Sequence, residues 1–436
     1  MGSRSYIKKF TRYSLLSVLG TLGVSFYILA DTFFVSKGLG TSGLAALNIA
    51  IPVFNFIHGS GLMLGMGGAT KFSISKSSGN DKKVNAIFTN TVYMALIIGL
   101  LFAALGLFFS RPLAMLLGAD EEVLVMTDTY LKWLLLFAPA FIMNDVLLCF
   151  VRNDESPLLA TAAMLTGSIA NIILDYIFIF PMQMGIFGAV FATGLSPVIS
   201  MLVLSLHWIR KKNSIRPMKT GLKWNIVRQD VSLGFPSLVG QIASGVVMIV
   251  FNMLILKQEG NVGVAAYGVI ANISLVVAGI YVGISEGVQP LISASYGNGD
   301  IKSIKLGYKY SMLSMLAISC IIYIVIFVFA EPITAIFNGE NDLRMQQISV
   351  SGLKLYFSSV VFMGYNTIIA VFFTSAERTV PAHILSLLRG LVLIIPMAFL
   401  LSALWKMTGI WLAYPVTEGI AAVTAYVVYH KKRSKR

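Results

Sequence analysis

Twelve apolar runs of membrane-spanning length follow one another along the chain, near residues 13–35, 44–69, 86–110, 131–151, 158–180, 185–209, 232–257, 264–295, 308–330, 349–374, 381–404 and 409–430. About 20 such residues reach across the roughly 30 Å of bilayer hydrocarbon as a helix. Inside that hydrocarbon each backbone N–H and C=O must find an internal partner, which a helix supplies from its own segment. The pattern therefore predicts an all-α membrane protein with twelve transmembrane helices. Composition agrees, since 57% of the 436 residues are hydrophobic and 12% are charged, against about 25% charged in a soluble domain.

The net charge of +14 would suggest a nucleic-acid partner in a soluble chain, but here the basic residues sit in short segments between apolar runs. With the runs alternating in direction, 26 of the 33 Lys and Arg fall on the side of both termini and 7 on the other. By the positive-inside rule both termini are cytoplasmic, in a multi-pass protein of the cell membrane. The opposite loops are acidic, with Asp120, Glu121 and Glu122 in one and Glu340 and Asp342 in another. The basic start of the chain, Met1 to Thr11, runs into a full-length span without a small-residue cleavage site and reads as a retained cytoplasmic tail. Cys149 and Cys320 both lie within apolar runs, so no disulfide framework is expected.

The longest basic segment, 210 to 228, contains Arg210, Lys211, Lys212, Arg216, Lys219, Lys223 and Arg228. It divides the chain into an N-lobe, 1–209, a linker, 210–231, and a C-lobe, 232–436. The two halves match: Gly40-Thr-Ser-Gly43-Leu-Ala-Ala pairs with Gly260-Asn-Val-Gly263-Val-Ala-Ala, and Gly61, Gly65, Gly79 and Asn80 pair with Gly279, Gly283, Gly297 and Asn298. Such slowly drifting offsets indicate an internal duplication. Six spans is an even number, so the copies share one orientation, related by an axis along the membrane normal. Two duplicated six-helix lobes around a central cleft follow, with alternating access by rocking of the lobes.

Two motifs resemble sites and lack their context. Gly38-Leu-Gly40-Thr-Ser-Gly43 fits GxGxxG, but lies in a short turn between spanning helices instead of after a strand. Gly297-Asn298-Gly299-Asp300 looks like a protease GxGD, yet a helix-ending turn explains it and its counterpart Gly79-Asn80-Asp81. No GxxxxGK[ST] sequence occurs, so ATP is not expected to supply the energy, and no cofactor is expected besides the coupling ion, H⁺ or Na⁺.

The acids at spanning depth are Asp31, Asp145, Asp175, Glu286 and Glu418. Each costs roughly 2.5–3.5 kcal/mol to insert at a helix centre, which makes it a functional candidate. Asn171 and Asp175 stand four residues apart, on one face of a helix. Asn171 can bind the same ion or proton carrier as Asp175, and Thr193 in the next span can complete an oxygen-rich pocket. Plainer readings compete: Asp31 as an interfacial carboxylate that reaches water, Asp175 as a polar contact between helices. Two carboxylates in low dielectric suit proton coupling, and the same oxygens held ionised can bind Na⁺, so the residues leave the ion open. Glu286 is read either as attracting cations in a drug-binding cleft or as a structural hydrogen-bonding group. Asp145 and Glu418 are weaker candidates, and His58 reads as a satisfied core histidine.

In its ordered motifs the chain resembles the multidrug and toxic compound extrusion (MATE) transporters. The resemblance runs through Ala30-Asp31-Thr32-Phe33-Phe34-Val35, Arg152-Asn153-Asp154-Glu155-Ser156-Pro157, Asn171-Ile-Ile-Leu-Asp175, Gly185-Ile-Phe-Gly188 to Thr193, Gln289-Pro290 to Gly297, and Leu388-Arg389 before Ile395-Pro396. It implies antiport of organic cations and other amphipathic drugs against H⁺ or Na⁺, by a monomer in the lipid bilayer. It also implies an N-lobe ion site at Asp31, Asn171, Asp175 and Thr193, and a substrate-contacting acid at Glu286. Another branch of the family places an acid in the seventh span. Here that span reads Pro236-Ser-Leu-Val-Gly-Gln241-Ile-Ala-Ser244, which favours the N-lobe site. A flippase for a lipid-linked or polar-headgroup substrate is the alternative on a related frame. It would need a strongly cationic cavity, whereas the basic residues here concentrate in cytoplasmic loops.

Overall fold

The computed structural model describes residues 3–211, 213–338 and 342–431. Lys212 and Glu340, read above as parts of the basic linker and an acidic loop, lie outside them. All regular structure among the described residues is helical. The first long rod, Ser3–Ser77, breaks once, at Gly40 (φ 67°, ψ −157°), into α1 (3–39) and α2 (41–77). A second rod, Trp224–Gly297, breaks in nearly the same conformation at Gly260 (φ 62°, ψ −153°), giving α7 (224–259) and α8 (261–297). Only glycine takes that backbone at little cost, which is why both copies keep it where two spans must join without a loop.

Between these rods lie α3 (Asp81–Leu116), α4 (Leu124–Leu136 and Ala138–Asn153, bent by 46°), α5 (Pro157–Ile179) and α6 (Gly185–Leu204). After them come α9 (Ile301–Val328), α10 (Leu343–Ser375), α11 (379–404) and α12 (407–430), the last two separated by a break at Trp405 and Lys406. The twelve helices coincide with the twelve apolar runs. Several extend past them: α1 is helical from residue 3, and α7 begins at Trp224 instead of near 232. Polar turns at the membrane surface continue a helix as readily as apolar ones, so the apolar run marks the bilayer and not the helix end.

The helix-ending turns are repeated too. Gly79 (φ 75°) precedes Asn80, whose side chain accepts from the Lys83 N–H. Gly299 (φ 67°) precedes Asp300, which accepts from the Ser303 N–H. Each pair combines a left-handed glycine with a capping side chain.

One hydrophobic cluster draws on residues from Val35 to Ile215, another on residues from Phe251 to Ala413. The lobes meet in the membrane half nearest the termini, where glycines let backbones touch. A Cβ on Gly67 would lie 1.8 Å from the Asp230 carbonyl oxygen, and one on Gly234 would lie 1.7 Å from that of Met63. On the other seam, Gly283 abuts Val18 and Gly287 abuts Ser14, while the Thr21 hydroxyl donates to the Gly279 carbonyl at 2.7 Å. Polar bonds between the lobes lie on the same side, among them Asn153 to Gln289 (2.9 Å), Gln289 to Thr70 (2.9 Å) and Lys71 to Glu377.

The basic connection after α6 is strapped to the N-lobe. Backbone N–H groups of Arg216, Met218 and Lys223 donate to the side chains of Asn85, Thr89 and Asn90 on α3. Ser214 donates to Asp154 through both its backbone and its hydroxyl. Burial opposes the charge on Asp154, but His207 (2.8 Å), Lys76 (2.6 Å) and Ser214 outweigh it and hold the carboxyl down to about 2. A carboxyl depressed from 3.8 stabilises the fold fully above that value and loses its contribution as pH falls toward 2. At neutral pH, Asp154→Asn is therefore expected to free the strap, accelerating trypsin cleavage after Lys219 by on the order of tenfold. An unchanged cleavage rate, read by gel, would show that the strap does not depend on Asp154.

Candidate functional site

Helices α1, α4, α5 and α6 enclose a pocket inside the N-lobe. On α5 the four-residue spacing places Asn171 and Asp175 on one face, and both are fully buried. Asp31 on α1 and Thr193 on α6 are 7% and 4% exposed. The carboxylates of Asp31 and Asp175 lie within electrostatic reach of each other. Tyr130 of α4 reaches the Thr193 side chain and interacts with both acids, and Tyr27, one turn before Asp31, does the same with the acids. The structure thus brings Asp31, Asp175 and Thr193 together around two tyrosines, with Asn171 one turn along the same face of α5.

Charge is poorly compensated in this pocket. One Asp31 oxygen, both Asp175 oxygens and both Asn171 amide atoms are buried without a hydrogen-bonding partner from the protein. Leaving such groups unpaired costs about 1–3 kcal/mol each, and more for charges. Two like charges in low dielectric add repulsion, which a bound cation or proton relieves. The donors are carboxylate, amide and hydroxyl oxygens, a set that suits a hard monovalent cation or a proton. Tyr27 was findable in the sequence as the i−4 neighbour of Asp31; nothing local singled out Tyr130, which comes from α4.

Glu286 lies elsewhere, at the seam between lobes. It pairs with Arg152 of α4 at 2.7 Å, and both side chains are under 10% exposed. The residue read as a cation attractor therefore already faces a guanidinium from the other lobe in this conformation. Asp145, two turns before Arg152 on α4, pairs with His58 of α2 at 2.8 Å, so the histidine is a partnered one.

The C-lobe handles its buried acid differently. Glu418 on α12 is 2% exposed and accepts two hydrogen bonds from Arg389, at 3.0 and 2.8 Å, and a third from Asn366 at 2.6 Å. Arg389 sits on the wide turn Leu388–Val392 that interrupts α11. By the duplication α11 and α12 are the counterparts of α5 and α6, so one lobe carries bare acids where the other carries an acid with its own cation.

The profile of the MatE family matches residues 17–177 and 236–400. The multidrug export protein MepA of Staphylococcus saprophyticus is 27% identical, over 99% of this chain and 95% of its own length. MepA of a Staphylococcus aureus strain is 26% identical over 98% and 94%. Among solved structures, a multidrug resistance MATE family transporter in an outward-facing conformation superposes with a TM-score of 0.91 at 22% identity, covering 98% of this chain and 96% of that one. A MATE transporter of Vibrio cholerae gives 0.91 at 22%, covering 100% and 98%. These likenesses establish the frame of twelve helices in two lobes.

Proposed function

This chain belongs to the MatE family of membrane transport proteins, and we propose that it is a cation-coupled multidrug efflux antiporter, exporting organic cations and amphipathic compounds by alternating access. The observation that carries the coupling is the N-lobe pocket, where buried carboxylates of Asp31 and Asp175 find no basic partner among the described residues. Asp31, Asn171, Asp175 and Thr193 take up H⁺ or Na⁺ in this proposal. The change of charge then alters how α1 and α5 pack, and the lobes rock. Lobes 1–209 and 232–436 move about the 210–231 linker, in a monomer of the plasma membrane with both termini cytoplasmic. The export proteins of Staphylococcus that match along nearly the whole chain support this substrate class.

On this orientation the lobes are joined on the cytoplasmic side, so the conformation is one that releases cargo outward. Each elementary charge entering along the membrane potential gains about 2.3 kcal/mol per 100 mV, enough for one ion to drive appreciable accumulation outside. Two basic residues at the seam, Arg152 and Lys71, are both committed to acids, which leaves neither free to cradle a lipid pyrophosphate.

The test is uptake of a fluorescent cationic dye into inverted vesicles, energised separately by a proton or a Na⁺ gradient. Uptake under one gradient and not the other identifies the ion. No dye uptake under either would overturn the export reading in favour of a lipid substrate.

A further inference from the structure

We propose that His58 is a second proton site, facing the space between the lobes, at which a proton and the charged group of an organic monocation compete. The proposal deepens the export reading above and rests on it. His58 lies at the middle of α2, and its side chain is 29% exposed while that of Asp145 behind it is 7% exposed. The imidazole is thus the outer member of the pair and the carboxylate the inner one. The niche is built for this: a Cβ on Gly61 would lie 2.5 Å from Asp145 Oδ2, and one on Gly65 3.0 Å from the Asp145 carbonyl oxygen. The next residue after His58, Gly59, abuts Leu238 and Gln241 of α7, so this part of α2 borders the other lobe.

The groups around the pair set its charge. From α4 come Asp145, Cys149 and Arg152; from α8 comes Glu286, which acts on both His58 and Asp145; from α1 comes Tyr27, which senses Asp145. Gln241 of α7 is neutral. With His58 neutral, two carboxylates face one guanidinium and the cluster carries one net negative charge. A proton on His58 cancels it. A monocation and a proton are therefore equivalent in charge at this place, and a site sized for one balances with either. Imidazole is the side chain whose unperturbed titration falls between pH 5 and 8. The adjacent wall is aromatic: Phe54 stacks on His58 with centroids 6.0 Å apart and planes 10° apart, and Phe141 meets Phe54 edge-on. Such faces hold planar cations.

Ethidium binding to the purified protein, followed by anisotropy from pH 5.5 to 8.5, tests this. The wild type is expected to weaken toward tenfold per pH unit below the imidazole titration, one proton displacing one dye. In His58→Gln the affinity should vary less than about twofold across the range. In Asp145→Asn, where the cluster with neutral His58 has no net charge, affinity at pH 8.5 should fall about tenfold. A wild-type slope retained in His58→Gln would place the competition at Asp31 and Asp175 and overturn the proposal, as would a flat wild-type profile in a protein that still transports dye. Absence of both binding and transport at every pH would instead sink the export reading on which the proposal stands.

Discussion

Asp175→Asn is expected to reduce gradient-driven dye export at least tenfold, to the background of vesicles without the protein, under whichever gradient energises the wild type. The argument is electrostatic. Asp175 and Asp31 share one buried pocket with no basic residue among their hydrogen-bonding partners in the described residues, so the energy that an entering cation recovers comes from relieving two like charges. Asparagine keeps the size and removes one of the two, leaving little differential affinity for the ion between the conformations. A ligand without differential affinity shifts no equilibrium. Asp31→Asn should give the same loss, and the double variant should be no worse than either single one, because the pair acts as a unit. Passive exchange of dye across the membrane should persist in all three. Export undiminished in Asp175→Asn would remove that residue from the coupling machinery.

Arg152→Met is expected to destabilise the protein by about 3–5 kcal/mol, since it leaves the Glu286 carboxylate buried without its guanidinium. The double variant Arg152→Met/Glu286→Gln should recover most of that loss, because a neutral amide tolerates the site far better than a lone charge. The measurement is denaturant unfolding in detergent micelles for the three proteins. The single variant should also open the seam where the lobes touch, which alkylation of a cysteine placed at Gln289 reads directly. Equal stability of Arg152→Met and wild type would mean that water reaches Glu286 and that the pair does not hold the lobes.

Much of the frame was legible because the bilayer makes hydropathy a direct signal. Each span had to be about 20 residues long and apolar, and the paired glycines at 40 and 260 announced both the duplication and the joints. Asn171 and Asp175 were legible for the same reason, as polar groups that a lipid-buried helix has no cause to keep. What lay hidden was pairing across helices. His58 with Asp145, Arg152 with Glu286 and Arg389 with Glu418 join residues 87, 134 and 29 positions apart, and spacing along one helix says nothing of the facing one. Tyr130 was invisible likewise, since it reaches the acids from another helix, α4. The helix ends lie beyond the apolar runs because apolarity stops at the water surface while the backbone hydrogen bonds continue.

The strap after α6 bears on how the molecule is made. Its anchors, Asn85, Thr89, Asn90 and Asp154, all precede it in the chain. At synthesis rates of roughly 5–20 residues per second, it can therefore dock roughly 10–40 s before the last helix leaves the ribosome. The first half is then sealed at its base before the second is inserted, and α7 enters the bilayer from a fixed point. The order of birth of the two halves, and not their contacts alone, decides which surface α7 finds first.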